Sequence, residues 1–257
     1  MGAFKKRVED LLASLAGWEI ERFRGKTYAL INKKRRTNAW FSYHTQIRSI
    51  IEKYEIDFVI DAGANEGQFA RKLRSFYLGE ILSFEPVSSA FERLAAAASS
   101  DPNWHVHKLA LGSQESIQTI NVSNSTEFSS FLKTNNYCAQ CFGDRALGTK
   151  EEVVSVRRLD KLLHEIAPDI DGKRIFLKLD TQGYDVEVFK GLGNKLKHVI
   201  ALQSEVSLIP TYESMPNWTE SISTYEKAGF KVVGMFPVCW DSDKIIECDC
   251  LLIRVES

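Results

Sequence analysis

The chain has 257 residues, 44% of them hydrophobic, and a formal net charge of −1 at pH 7. That length suits one domain with an appendage or two small ones, with apolar content enough for a sizeable core. The near-zero charge gives no global field for nucleic acid or an anionic membrane, and no apolar stretch reaches the roughly 18 residues that cross a bilayer.

Glu9 and Asp10 interrupt the apolar region a signal peptide needs, and Lys6 stands where myristoylation wants Ser or Thr. Five cysteines, an odd number, fit reduced thiols better than a disulfide framework. Together these features predict a soluble cytoplasmic protein. Phe4, Val8, Leu11, Leu12, Leu15 and Trp18 recur at helical spacing, and a second helix is expected over Trp40–Tyr54. Residues 1–57 are therefore expected to form a helical cap over one sheet edge. A dimer face or a substrate lid is the alternative use of the same segment. Between the two helices, Lys33-Lys34-Arg35-Arg36 reads as a solvated loop.

From Phe58 onward, strands and helices alternate. Strand Phe58–Asp61 leads to helix Gln68–Tyr77, and strand Glu80–Phe84 ends in Glu85-Pro86. Ser89 with Glu92 three residues on marks a capping box for the next helix, and Trp104–Leu109 forms a third strand. Such alternation predicts a parallel sheet with helices on both faces. Residues 113–154 interrupt it: Ile117–Val122 alternates like a strand, but Ser123–Gly148 has no clear period. A stretch that long inside a domain is usually functional or disordered. The pattern resumes with strand Val153–Val156, helix Leu159–Ile166, strand Ile175–Leu179, helix Asp185–Leu192 and strand Val199–Gln203. Helix Trp218–Ala228, with Trp218, Ile222 and Tyr225 inward, precedes Phe230–Met235 and Asp249–Val255. These last two strands have no helix between them and should pair antiparallel.

The first candidate site is Asp61-x-Gly63-x-x-x-Gly67, an acidic strand end followed by a Gly-bracketed turn. Its spacing is not the dinucleotide fingerprint, and Asn65 stands where a second glycine would admit a pyrophosphate. An acidic strand end would repel that dianion but attract a sulfonium or ammonium group, by about 4 kcal/mol at about 4 Å and an effective dielectric constant of about 20. The bland alternative is a structural β–α turn. Glu85 follows Asp61 by 24 residues, near the roughly 20 at which an acidic residue reaches a ribose hydroxyl. In Leu177-Lys178-Leu179-Asp180, charge sits in an apolar strand, where it is costly unless paired; either an architectural ion pair or chemistry at the strand end explains it. Glu205 would face the same rim. Cys138-x-x-Cys141 and Cys248-x-Cys250 could in principle hold zinc, but the pairs are far apart and Cys248-x-Cys250 has the alternation of a strand, so no metal is expected. His105 and His107 read as rim or core histidines.

Taken in order, VIDAGANEG (Val59–Gly67), SFEP (Ser83–Pro86), Ala110-Leu111-Gly112, Arg158-Leu159-Asp160, LKLDTQGYDVEVFKG (Leu177–Gly191), Glu205-Val206-Ser207, Gly229-Phe230 and Cys248–Arg254 resemble the FkbM-type methyltransferases. The likeness covers about residues 58–255, departs at Asp185 where the family often has Glu, and is loose over 113–154. It implies a Rossmann-like class I methyltransferase fold: a mostly parallel seven-stranded sheet, helices on both faces and an antiparallel terminal hairpin. It further implies S-adenosylmethionine as cofactor and methyl transfer to an oxygen, commonly a hydroxyl of a sugar or other secondary metabolite. On that basis Asp61, Gly63, Asn65, Gly67, Glu85 and Ala110 are expected at the cofactor. Asp180 and Glu205 are expected in catalysis, with Lys178 steadying charge, and Ser129, Ser130 and Phe131 of the 113–154 insertion over the acceptor. The rival readings are a nucleotide-fold binding protein that lost its chemistry and, against the missing fingerprint, an NAD-dependent dehydrogenase. The expected partner is a small-molecule or glycan acceptor, not nucleic acid, with residues 1–57 the place to look for a homodimer contact.

Overall fold

The computed structural model describes residues 18–22, 28–32 and 43–255. They divide into two units, residues 1–47 and 48–257. The first holds an antiparallel pair, β1 (Trp18–Arg22) and β2 (Tyr28–Asn32). Trp18 thus opens a strand and does not end a helix. In Trp-Glu-Ile-Glu-Arg the apolar residues alternate with period two, which the helical reading overlooked. The rest of that expected helix lies outside the described residues. The next helix is α1 (Tyr43–Lys53).

The second unit contains β3 (Phe58–Ala62), α2 (Gln68–Leu73), β4 (Glu80–Phe84), α3 (Ser88–Ala98) and β5 (Trp104–His107). Next come β6 (Ala110–Leu111), β7 (Ser116–Ser123), α4 (Asn136–Phe142), β8 (Gly148–Arg157) and α5 (Leu159–Ile166). The chain continues through β9 (Ile175–Leu179), α6 (Asp185–Lys190), β10 (Val199–Ser207), α7 (Trp218–Lys227), β11 (Phe230–Asp241) and β12 (Lys244–Arg254). Seven strands form one sheet in the order β11-β12-β10-β9-β3-β4-β5. Its five members β10, β9, β3, β4 and β5 are mutually parallel, and β11 and β12 close it as an antiparallel hairpin. Every residue of β3 and of β9 is buried, as strands covered by helices on both faces must be. The strand order reverses between β3 and β9, so the crevice at their carboxyl ends is where an open sheet accepts a ligand.

Helix capping differs from expectation at α3 and α7. α3 starts after Val87, which has no polar side chain to cap it; the Ser88 amide and hydroxyl donate instead to Glu152 Oε2 of β8, at 2.9 and 2.7 Å, and Ser89 lies inside the helix. The capping box is instead at α7, where Asn217 Oδ1 accepts from the Thr219 and Glu220 amides and Glu220 Oε2 accepts from the Asn217 amide. Trp218, next to that cap, is 37% exposed and not inward, whereas Tyr225 is fully buried. Residues 113–154 are not a loose loop. β7 and β8 pair over eight residues and, with β6, make a second sheet of order β6-β8-β7. Their tip, residues 124–147, carries 3-10 turns at Thr126–Phe128 and Gly143–Arg145 around α4. Among the described residues no helix is long and apolar enough to cross a membrane.

Candidate active site

A cavity of about 410 Å³ opens at the carboxyl ends of β3, β4, β9 and β10 and is covered by the tip of the second sheet. Sequence dictates its floor. β3 ends in a turn that only small or left-handed residues can make: Gly63, Asn65 and Gly67 have φ of 77°, 46° and 82°. The amides of Gly63 and Ala64 donate to the Phe84 carbonyl at 3.0 Å each. Glu85 pins the same turn, its Oε2 accepting from the Asn65 amide at 2.9 Å while Oε1 accepts from the Val87 amide at 2.8 Å. Each oxygen keeps a second lone pair, and Glu85 lines the cavity. Burial pushes this carboxyl up to about 7, against the two amides that pull it down. Val87, Leu109, Ala110 and Ile120 add an apolar slot beside it.

The other half of the cavity is acidic. Asp180 closes β9, and Glu205 lies two residues before the end of β10, not beyond it. Both bond one side-chain amide: Gln182 Nε2 donates to Asp180 Oδ1 at 3.1 Å and to Glu205 Oε2 at 3.0 Å. Glu247 of β12 lines the same half, accepting from the Ser207 and Thr211 hydroxyls at 3.3 and 3.2 Å. Burial, and then the carboxylates of Asp180, Glu247, Asp249 and Asp185, hold Glu205 well above the usual carboxylate range.

Nine of the expected residues line this one cavity. Gly63, Asn65, Glu85 and Ala110 are on one side, Asp180 and Glu205 opposite, and Ser129, Ser130 and Phe131 above. Three do not. Asp61 is fully buried, and its Oδ1, which accepts no directed hydrogen bond, lies 3.1 Å from Lys178 Nζ. Lys178 also reaches Asp180 Oδ2 at 3.2 Å and covers the Phe69 ring. Burial pulls the Lys178 ammonium down, but Asp180 and Asp61 outweigh it and keep the group charged. The parallel register sets Asp61 opposite Lys178, so these charges neutralise each other under α2 and Lys178 acts from behind Asp180. Gly67 is a packing residue: a Cβ there would come within 2.7 Å of the Trp104 ring.

The cover is stitched down at several points. Thr126 Oγ1 donates to Asn65 Oδ1 at 2.8 Å, and Ser130 Oγ to the Gln182 carbonyl at 2.7 Å. The Tyr212 hydroxyl lies within hydrogen-bond distance of both Gln182 Oε1 and the Phe128 carbonyl. Phe131 packs on Tyr184, ring centroids 5.0 Å apart, and joins the apolar cluster of Val87, Ala110 and Ile120. Gln182, Tyr212, Thr126 and Glu247 were not singled out from sequence. Tyr212 and Thr126 sit in stretches without a period, and Glu247 reads as ordinary strand alternation. Gln182 did carry a signal, being a long polar residue before Gly183 directly after a charged strand end.

The solved structures that resemble this chain include Aeropyrum pernix fibrillarin in complex with natively bound S-adenosyl-L-methionine, at 13% identity over 92% of this chain and 83% of that one, TM-score 0.44. They include magnesium protoporphyrin IX methyltransferase from Synechocystis PCC 6803 with bound SAM, at 8% identity over 83% and 80%, TM-score 0.43. A SAM dependent methyltransferase from Aquifex aeolicus is 14% identical over 80% and 88%, TM-score 0.39. No curated protein sequence matches the chain. A family model described as the methyltransferase FkbM domain matches residues 61–232.

Proposed function

The chain belongs to the FkbM family of S-adenosylmethionine-dependent methyltransferases, and from that premise we propose that it methylates a hydroxyl oxygen of a sugar, glycan or related small molecule. The observation that carries this reading is the pair Asp180 and Glu205, which face the covered half of the cavity and share the Gln182 amide. An alcohol loses its proton as it attacks, so a base must stand where the oxygen docks. Burial and the neighbouring carboxylates raise the Glu205 carboxyl and so favour its taking up that proton, with Asp180 orienting the hydroxyl.

The residues present fit the cofactor. The slot of Val87, Leu109, Ala110 and Ile120 matches an adenine ring, and the remaining lone pairs of Glu85 match ribose hydroxyls. The side-chain-free face of Gly63 and the carboxylate of Asp180 suit a ligand carrying cationic groups. A pyrophosphate would meet Glu85 and Asp180, with Lys178 already committed behind them. Bound there, S-adenosylmethionine supplies a methyl group already activated by its sulfonium. The protein's part is alignment, exclusion of water by the 113–154 cover, and removal of one proton.

Calorimetry is expected to show binding of both S-adenosylmethionine and its demethylated product. Tritiated cofactor with a panel of hydroxylated sugars and lipids should then place label in an ether methyl. Label on nitrogen or carbon, or no binding of either ligand, contradicts the proposal.

Glu85 makes binding depend on pH. Its folded carboxyl sits near 7, above the ordinary carboxylate value, so protonation favours the ligand-free fold. That stabilisation is complete below about 4.5 and is lost as pH rises through about 7. A carboxylate that must accept ribose hydroxyls reverses the preference on binding. Affinity for S-adenosylmethionine should therefore weaken about tenfold per unit as pH falls below about 7. Binding at pH 6.5 should release a proton, seen as a binding enthalpy that depends on the buffer's ionisation enthalpy. In Glu85→Gln both signatures should vanish.

A further inference from the structure

We propose that Gln182 is a positioning residue: its side-chain amide holds Asp180 and Glu205 side by side, and its bonds to the cover make that alignment depend on closure. The inference rests on the Asp180–Glu205 pair being the acceptor-side machinery. Gln182 uses every polar atom of its side chain. One hydrogen of Nε2 goes to each carboxylate, at 3.1 and 3.0 Å, and Oε1 lies 2.8 Å from the Tyr212 hydroxyl. The opposite amide orientation would aim an oxygen at two carboxylates, so these neighbours fix it. The Gln182 carbonyl accepts from Ser130 Oγ of the cover at 2.7 Å, and Tyr212, the partner of its side chain, reaches the Phe128 carbonyl of the cover at 3.1 Å. Both halves of the residue are thus tied to the 113–154 segment.

The backbone is consistent with a selected conformation. Gln182 has φ of 52° and Gly183 has φ of 86°, a left-handed pair in which an unbranched glutamine is unusual and an asparagine or glycine would sit more easily. From there its two-methylene side chain reaches both carboxylates. With the amide in place, two acids crowded by Asp185, Glu247 and Asp249, with Lys178 beside Asp180, share one neutral donor. Closure then presents an aligned pair, and an open cover leaves the amide without its anchors.

The test needs neither an acceptor nor methyl transfer, so it stands apart from whether the acceptor class is right. In the full chain, the Glu205 carboxyl is titrated by carbon-13 NMR, and amide exchange is followed over residues 126–133. Gln182→Met keeps the length and removes the donors. It should raise the Glu205 titration by about one pH unit, since a donor to the charged form is lost. It should also speed exchange in the cover about five- to tenfold. Tyr212→Phe touches neither carboxylate, and should move both readouts in the same direction by less. Gln182→Asn retains the amide but is one methylene too short. It should behave as Gln182→Met and takes its place if the methionine variant does not fold. Once an acceptor is known, the loss should fall on turnover more than on KM. The proposal is overturned if either Gln182 variant, folded and binding S-adenosylmethionine, keeps the parent's Glu205 titration, or if Tyr212→Phe leaves both readouts unmoved.

Discussion

Glu205→Gln is expected to lower methyl transfer by about 10²- to 10⁴-fold, the range lost when a positioned base is removed, while S-adenosylmethionine still binds. The substitution preserves shape, and the Gln182 donor keeps an oxygen to bond. Asp180→Asn should also slow transfer, but through a different signature. Asp180 is the foremost of the carboxylates whose charge adds to burial in holding Glu205 high. Neutralising it should let Glu205 fall, so the rising limb of turnover against pH moves to lower pH. Measuring kcat across pH for the parent and both variants, with calorimetry confirming bound cofactor, separates the two roles. Full turnover in both variants with cofactor bound would falsify the assignment.

The second large effect belongs to Gly63→Ala. A Cβ at this position overlaps the Asp180 carbonyl oxygen and lies 2.8 Å from the carbonyl carbon, on a backbone with φ of 77°. The carboxyl end of β9 would have to leave β3, breaking the 3.0 Å bond from the Asp180 amide to the Ala62 carbonyl. Overpacking and left-handed strain together should cost about 2–5 kcal/mol, and cofactor binding should be lost because the adjoining ends of β3 and β9 that floor the cavity move apart. Gly172→Ala is the control. That glycine also has positive φ, 103°, but nothing lies within 4 Å of its added Cβ, so only the backbone term of about 1–2 kcal/mol applies. Thermal melts of the two variants with and without S-adenosylmethionine should differ accordingly. If Gly63→Ala melts like Gly172→Ala and binds cofactor normally, the close approach of β3 and β9 does not matter.

How much of this was legible in the sequence follows from what each residue depends on. Glu80–Phe84, Leu159–Ile166 and Ile175–Leu179 coincide with observed elements, because local pattern and tertiary burial demand the same thing there. The strand that holds Glu205 was cut short, since Ser204-Glu205 reads as the end of an apolar run. Pairing shows that it continues: Ser204 lies opposite Leu179 of β9 and Cys250 of β12, and Glu205 opposite Asp249. Ser89 satisfied a capping pattern, but the helix starts at Ser88, whose amide and hydroxyl go to Glu152, some sixty residues away in sequence. The insertion looked structureless because its order comes from bonds to Asn65, Gln182 and Tyr212, which no local period encodes. Asp61 was assigned to the ligand on chemistry alone; that Lys178 would stand beside it depends on the register of two distant strands.

That register has a consequence for folding. Trp104 Nε1 donates to Ser83 Oγ at 2.9 Å, Ser83 Oγ lies 3.4 Å from Asp61 Oδ2, and Asp61 meets Lys178, a polar row across four neighbouring strands. Slip β3 or β9 by one residue and its charged member turns into the apolar layer on the opposite face, leaving a buried charge without its partner at about 3–5 kcal/mol. Hydrophobic runs such as Phe58–Ile60 and Ile175–Leu177 would tolerate several alignments. The buried row penalises all but one, so it acts as a proofreading device for strand assembly as well as a brace for the site.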